Sequence, residues 1–197
     1  MASEPAEVDD CPRLRRWTRL EYERLVELGF FEGEHLELLD GVLAVREPQG
    51  SRHNAATRRV ARVLQRRLGD EWQVDVQFAI ALDDDSEPQP DVAVVPYDPR
   101  MYVDGHPSQP RLVVEVAESS YRIDHRYKSS LYARAGVPEY WIVDVVRDRV
   151  EVHRAPEPWS EAAVGWRYGS VVTLARSATV TPLVAPGVTI AVADLLP

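Results

Sequence analysis

Apolar residues recur along the chain with two different periods, and the switches between them lay out the elements. Thr18 and Glu21 stand at capping-box spacing at the head of a predicted helix. Its apolar face includes Leu20, Leu25 and Leu28, and Gly29 closes it. The apolar runs His35-Leu36-Glu37-Leu38-Leu39 and Val42-Leu43-Ala44-Val45 flank Asp40-Gly41, a strong hairpin signal. From Ser51 to Leu68 the spacing turns helical. Val60, Val63, Leu64 and Leu68 share an inner face, and Arg58, Arg62 and Arg66 an outer one. Residues 73 to 82 alternate as a strand and 83 to 88 form an acidic turn. Asp91-Val92-Ala93-Val94-Val95 is a short apolar strand introduced by Pro90, followed by a Pro- and Gly-rich loop to Pro110. A buried-looking strand over 111–117 precedes a helix from about Ile123 to Ala135, closed by Gly136 and Pro138. Strands recur at 139–144, 149–153 and 166–174, with a short strand or turn near Val188 and Ile190 before a terminal Ala-Asp-Leu-Leu turn. This order predicts an α/β (α+β) fold, a mixed sheet flanked by helices with a helix and hairpin in front.

Length and composition narrow the class. The 197 residues, 45% of them hydrophobic, suit one domain over 17–197 behind a flexible charged arm over 1–16. No stretch approaches the roughly 20 apolar residues that span a bilayer, and the first residues lack the basic and apolar regions of a signal peptide. A single cysteine, Cys11, excludes an internal disulfide and a cysteine-based zinc site. A cytoplasmic protein without membrane contact is the expectation. The net charge of −9 argues against coating nucleic acid through bulk charge, and fits a site that gathers carboxylates around a divalent cation. Of 23 basic residues one is lysine, Lys128, so 22 are arginine. Arginine stays protonated, whereas a lysine shifts readily on burial, so the surroundings of Lys128 matter.

Two apolar strands carry an acid where valine or leucine would fit the pattern. Glu115 interrupts Leu112-Val113-Val114-Glu115-Val116, and Asp91 opens the strand after Pro90. A buried carboxylate costs several kcal/mol unless neutralised, paired or metal-bound. Glu37 adds a third acid from the hairpin, with Leu36 and Leu38 on the opposite face. Lys128, on the helix after the Glu115 strand, is placed to aim an ammonium at that carboxylate. The plain alternatives are that Glu115 pairs with an arginine, that Asp91 caps a turn, and that Asp124 and Lys128 form a surface i,i+4 pair. Residues 52 to 68 hold six arginines and no acid, so Arg52, Arg58 and Arg62 could follow a phosphate backbone with help from Arg126; a solvated helix face is the other reading. His53, near the start of that helix, could touch phosphate or a metal-bound water, or simply cap or pack. Tyr140 and Trp141 read as core.

Asp91, then Glu115, then a lysine resembles the PD-(D/E)XK nuclease superfamily, and Pro90-Asp91 supplies its first dipeptide. More closely, the chain is similar to the Uma-type family of restriction-endonuclease-like proteins. The resemblance runs from about Thr18 to Arg154 and is carried by Glu37-Leu38-Leu39-Asp40-Gly41, Arg52-His53, residues 90–95 and 112–116, Asp124, Lys128 and residues 132–144. It implies a restriction-endonuclease-like fold, with Glu37, Asp91 and Glu115 as ligands of Mg²⁺ or Mn²⁺. The superfamily pattern places its lysine two residues after the glutamate, which here is Ala117, and Lys128 would substitute from the next helix. The resulting expectation is a metal-dependent endonuclease hydrolysing DNA, with Glu37, Asp91, Glu115 and Lys128 catalytic. The alternative is a weak or inactive nuclease-fold module that binds DNA or a protein partner. A homodimer is a prior from nucleases that cut both strands.

Overall fold

The computed structural model describes residues 14–103 and 105–197, so Cys11 and most of the 1–16 arm lie outside the described residues. Helix α1, Arg19–Glu27, starts at the expected capping box: the Thr18 side chain accepts from the Glu21 amide and Glu21 accepts from the Thr18 amide. The buried residue of α1 is Tyr22, however, while Leu20 and Leu28 are exposed. Tyr22 donates to the Leu36 carbonyl, so the helix rests on the hairpin through that ring and not through a leucine stripe. Strands β1, Leu36–Leu39, and β2, Val42–Val45, pair antiparallel across Asp40-Gly41. Both turn residues have positive φ, 50° and 74°, the type I′ geometry that Asp-Gly accommodates.

Helix α2, Ser51–Arg67, buries Ala56, Val60 and Leu64 against one face of a six-stranded sheet. That sheet runs β3 (Trp72–Asp75), β4 (Val92–Pro96), β5 (Leu112–Ala117), β6 (Glu139–Asp144), β7 (Arg149–Pro158) and β8 (Trp166–Ala175), in sequence order. All neighbours are antiparallel except β5 and β6, which run parallel. A parallel pair needs a long crossover. Here it is one helical run: α3, Tyr121–Ile123, a π-helical turn, Asp124–Lys128, and α4, Ser129–Arg134. The strand predicted over 73–82 stops at Asp75. Gln77 adopts a left-handed φ of 57°, and Ile80 and Leu82 then bond to Pro88 and Ser86, forming a local turn in place of sheet ladder. The C-terminus forms a small β9 (Thr179–Val180) and β10 (Ile190–Ala191) pair, and the expected terminal turn is a helix, α5, Val192–Leu195.

Side-chain parity sorts the sheet into two cores. Val92, Val94, Val114, Val116, Trp141, Val150 and Val152 face α2 and α5. Ala93, Val113, Ala117, Tyr140 and Ile142 face the other way, toward Tyr132 and Ala133 of α4. Glu115 shares the parity of Val113 and Ala117, so it projects under the crossover helix, as does Glu151 of β7, two strands away in register through Ile142. No described helix is long and apolar enough to cross a membrane.

Candidate metal and catalytic cleft

The hairpin closes over the C-terminal end of β5 because a backbone bond and an arginine cluster pin it there. The Glu87 amide donates to the Leu38 carbonyl at 2.8 Å. Arg134 of α4 bonds Asp83 and Asp85, both at 2.9 Å, and also Asp40 in the hairpin turn. Sequence pattern placed Arg134 on a helix but could not say that three acids, 49 to 94 residues away, converge on it. The enclosed cleft holds about 210 Å³ and is lined by Glu37, Arg46, His53, Asp91, Glu115 and Lys128 among others.

Asp91 and Glu115 are locked by crossed backbone bonds between adjacent strands. The Val116 amide donates to Asp91 Oδ2 at 2.8 Å, and the Asp91 amide donates to Glu115 Oε2 at 3.4 Å. His53 Nε2 lies 2.9 Å from the same Asp91 oxygen. Burial alone would raise the Asp91 carboxyl; the bond and charge of His53, the Val116 amide and Lys128 outweigh it and hold Asp91 below its usual value. Asp91 in return raises His53 above its ordinary value against burial. His53 is therefore a buried clamp on Asp91 at the cleft wall.

Lys128 enters from the π turn. Its Nζ donates to Glu115 Oε1 at 3.0 Å and lies 3.3 Å from Glu37 Oε2. Tyr132 donates to the same Glu115 oxygen at 2.8 Å. Lys128 is buried, as is Asp124, so the surface i,i+4 reading of that pair does not hold; Asp124 instead accepts from Ser120 at 2.5 Å. Burial would lower the Lys128 ammonium, but Glu115, Glu37 and Asp124 raise it above its ordinary value, so it stays charged. Burial pushes Glu115 up to about 8; Lys128 pulls it down, while Asp91, Asp124 and Glu37 push it further up. Burial likewise takes Asp124 to about 6. Ala117, the position of the superfamily lysine, is buried in the α4-side core. Arg46, which no pattern singled out, lies 3.1 Å from Glu37 and 3.8 Å from Asp91 Oδ1.

The four expected residues therefore meet, with Lys128 between Glu37 and Glu115. The donor set suits a hard divalent cation, which prefers carboxylate oxygens and retained water. Two oxygens remain weakly engaged among the described residues: Asp91 Oδ1, with the Gln77 amide at 3.3 Å and Arg46 at 3.8 Å, and Glu115 Oε2, with the 3.4 Å amide bond. The arginines separate from this site. Arg58 and Arg62 are exposed on α2 and line grooves with Arg59 that share no lining residue with the cleft. Arg52, one residue before His53, and Arg126, in the π turn, are exposed.

The Uma2 family model, described as "Putative restriction endonuclease", matches residues 20–193. A crystal structure described as "a putative nuclease belonging to DUF820" from Anabaena variabilis has a similar fold, with a TM-score of 0.62 at 16% identity over 81% of this chain and 88% of that one. No curated protein matches the sequence.

Proposed function

The chain belongs to the Uma2 family, and from that premise and the cleft geometry we propose that it is an endonuclease hydrolysing DNA phosphodiester bonds with Mg²⁺ or Mn²⁺. One observation carries the reading: the Glu115 carboxylate accepts from the Asp91 amide and the Asp91 carboxylate from the Val116 amide, with the chain's single lysine donating to Glu115 from a buried position. Asp91 and Glu115 would hold the cation, with Glu37 completing the carboxylate set. Bound there, such a cation supplies Lewis-acid polarisation of phosphate and lowers the pKa of a bound water.

The chain's own groups supply orientation and charge. His53 and the Val116 amide fix the Asp91 carboxylate, and Tyr132 fixes Glu115. Arg46 restrains Glu37. Lys128, charged and shielded from bulk water, stands where an ammonium offsets negative charge developing on phosphate oxygens or positions the attacking water. A lysine turned to solvent would have favoured a binding module without cleavage; Lys128 is instead aimed into the cleft. Arg52, next to His53 in sequence, and Arg126, in the same π turn as Lys128, are exposed basic residues that would meet backbone phosphate.

The test is cleavage of plasmid and single-stranded DNA with Mg²⁺ or Mn²⁺, with EDTA controls and Asp91→Ala and Lys128→Ala alongside. Metal-dependent cutting lost in both variants supports the assignment. Cutting that survives both overturns it, and a folded, metal-binding wild type that does not cut moves the reading to DNA or protein binding.

A further inference from the structure

A second polar cluster lies under the same crossover helix, two strands from Glu115. Glu151 and His153 of β7 project from one face of the strand, while Val150 and Val152 point into the α2-side core. His125 of the π turn comes down over them. The three side chains bring one ligand atom each to within 4.8 Å of one another, the one group of its kind among the described residues. Glu151 Oε2 is 3.5 Å from His125 Nε2 and 3.5 Å from His153 Nε2.

Those atoms are aimed at one another without bonding. Glu151 and His153 are 3% and 2% exposed, yet Glu151 Oε2 and both ring nitrogens of His153 have no hydrogen-bond partner among the described residues. Each unsatisfied buried polar atom costs about 1–3 kcal/mol, so Glu151 Oε2 and His153 Nε2, facing each other with His125 Nε2 beside them, call for a ligand there. The other half of the carboxylate is already engaged: Tyr121 donates to Oε1 at 2.8 Å and Arg149 at 2.7 Å. Asp144, 3.3 Å from Arg149 Nε, offsets that guanidinium. Rings hold the imidazoles in place, His125 stacked on Tyr121 and His153 set between Tyr140 and Tyr168.

We propose that His125, Glu151 and His153 bind a divalent cation of the zinc class, tying the π turn to β7. Two imidazoles and a carboxylate oxygen suit zinc and its neighbours in the first transition row, not magnesium. Bonds of about 2.0–2.2 Å in tetrahedral geometry place ligand atoms roughly 3.4 Å apart, close to the 3.5 Å between Glu151 Oε2 and each histidine Nε2. The His125 side chain is 42% exposed, which leaves an entry path and a fourth position for water. Glu115 and Glu151 are separated by two strand spacings, about 10 Å, beyond the roughly 4 Å of two-metal catalysis. The ion therefore acts on the scaffold. By fixing His125 it holds the turn from which Lys128, three residues on, reaches Glu115.

The experiment is titration of the protein with Co²⁺ and Zn²⁺ in excess Mg²⁺, reading visible absorption, calorimetric stoichiometry and the imidazole ¹⁵N resonances. His125→Ala, Glu151→Gln and Asp91→Asn are compared, each checked for folding by circular dichroism. One bound ion is expected, with perturbed His125 and His153 resonances and an affinity retained in Asp91→Asn. In His125→Ala, an exposed position that spares the core, affinity should fall by more than the roughly 10–100-fold that loss of an outer-shell partner causes. Absent binding, binding undiminished in folded His125→Ala and Glu151→Gln, or binding lost in Asp91→Asn would overturn the site.

Discussion

Lys128 donates to Glu115 at 3.0 Å from a helix that begins only after β5 has ended, so the ammonium reaches from outside the strand a carboxylate that superfamily pattern serves from within it. Lys128→Ala should lower cleavage by roughly 10²-fold or more, the scale of losing a charge-stabilising donor. Lys128→Arg should not restore it, because a planar fork does not fit a buried slot shaped for a point charge. Single-turnover DNA cleavage measures both.

The same ammonium offsets buried carboxylates, so its loss should also affect stability. Removing one member of a buried ion pair costs about 3–5 kcal/mol when the partner stays charged. Glu115 can relieve this by taking a proton. The loss in Lys128→Ala should therefore be larger at pH 8.5 than at pH 6, as read by denaturant unfolding at both.

Metal-free stability should fall as pH rises from about 5 to 8. Glu115, held at about 8, and Asp124, at about 6, bind protons more tightly folded than unfolded, so their contribution is complete below the unfolded carboxylate range and is lost as pH passes their folded values. His53, also raised, acts in the same direction. Asp91, depressed, loses its contribution only as pH falls below the ordinary range. The expected decline in Tm is of order 5–10 °C. It should be shallower in Glu115→Gln, and in the wild type with added Mn²⁺ if the cation binds the ionised carboxylates. Thermal melts across pH with and without Mn²⁺ decide this.

His53 bonds to a proposed metal ligand. His53→Ala should weaken Mn²⁺ binding by about 10–100-fold, the usual cost of losing a ligand-orienting partner, with the fold intact. Isothermal titration with Mn²⁺ against Asp91→Asn distinguishes this from loss of the site.

Arg134 holds three acids of the hairpin and acidic turn. Arg134→Ala leaves Asp40, Asp83 and Asp85 facing one another and should cost about 1–3 kcal/mol. Hydrogen exchange should rise first at β1 and the 83–88 turn. The Arg58→Ala, Arg62→Ala double variant, on grooves apart from the cleft, should leave cleavage within about twofold of the wild type at saturating DNA, because such distant surface changes act independently of the site.

The sequence by itself determined what depends on near neighbours. The Thr18–Glu21 cap, the Asp40-Gly41 turn, α2 and the apolar strands β4 to β6 follow from interactions within a few residues, and they formed close to where the pattern set them. Acids inside apolar strands were equally legible, because an uncompensated charge there is costly wherever the strand lies. Tertiary structure decided the rest. Residues 76–82 alternate like a strand, yet a left-handed Gln77 and local partners at 86–88 take their backbone bonds elsewhere. Lys128 and His125 share one π turn, whose widened spacing appears in no periodicity, and only the packing of that turn over β5 and β7 gives each its own carboxylate. Arg134 meets acids far away in sequence, and Arg58 and Arg62 line grooves apart from the cleft because α2 packs on the sheet face opposite Glu115. A side chain's partner is set by which surfaces are buried together, and that emerges only once the whole chain has packed.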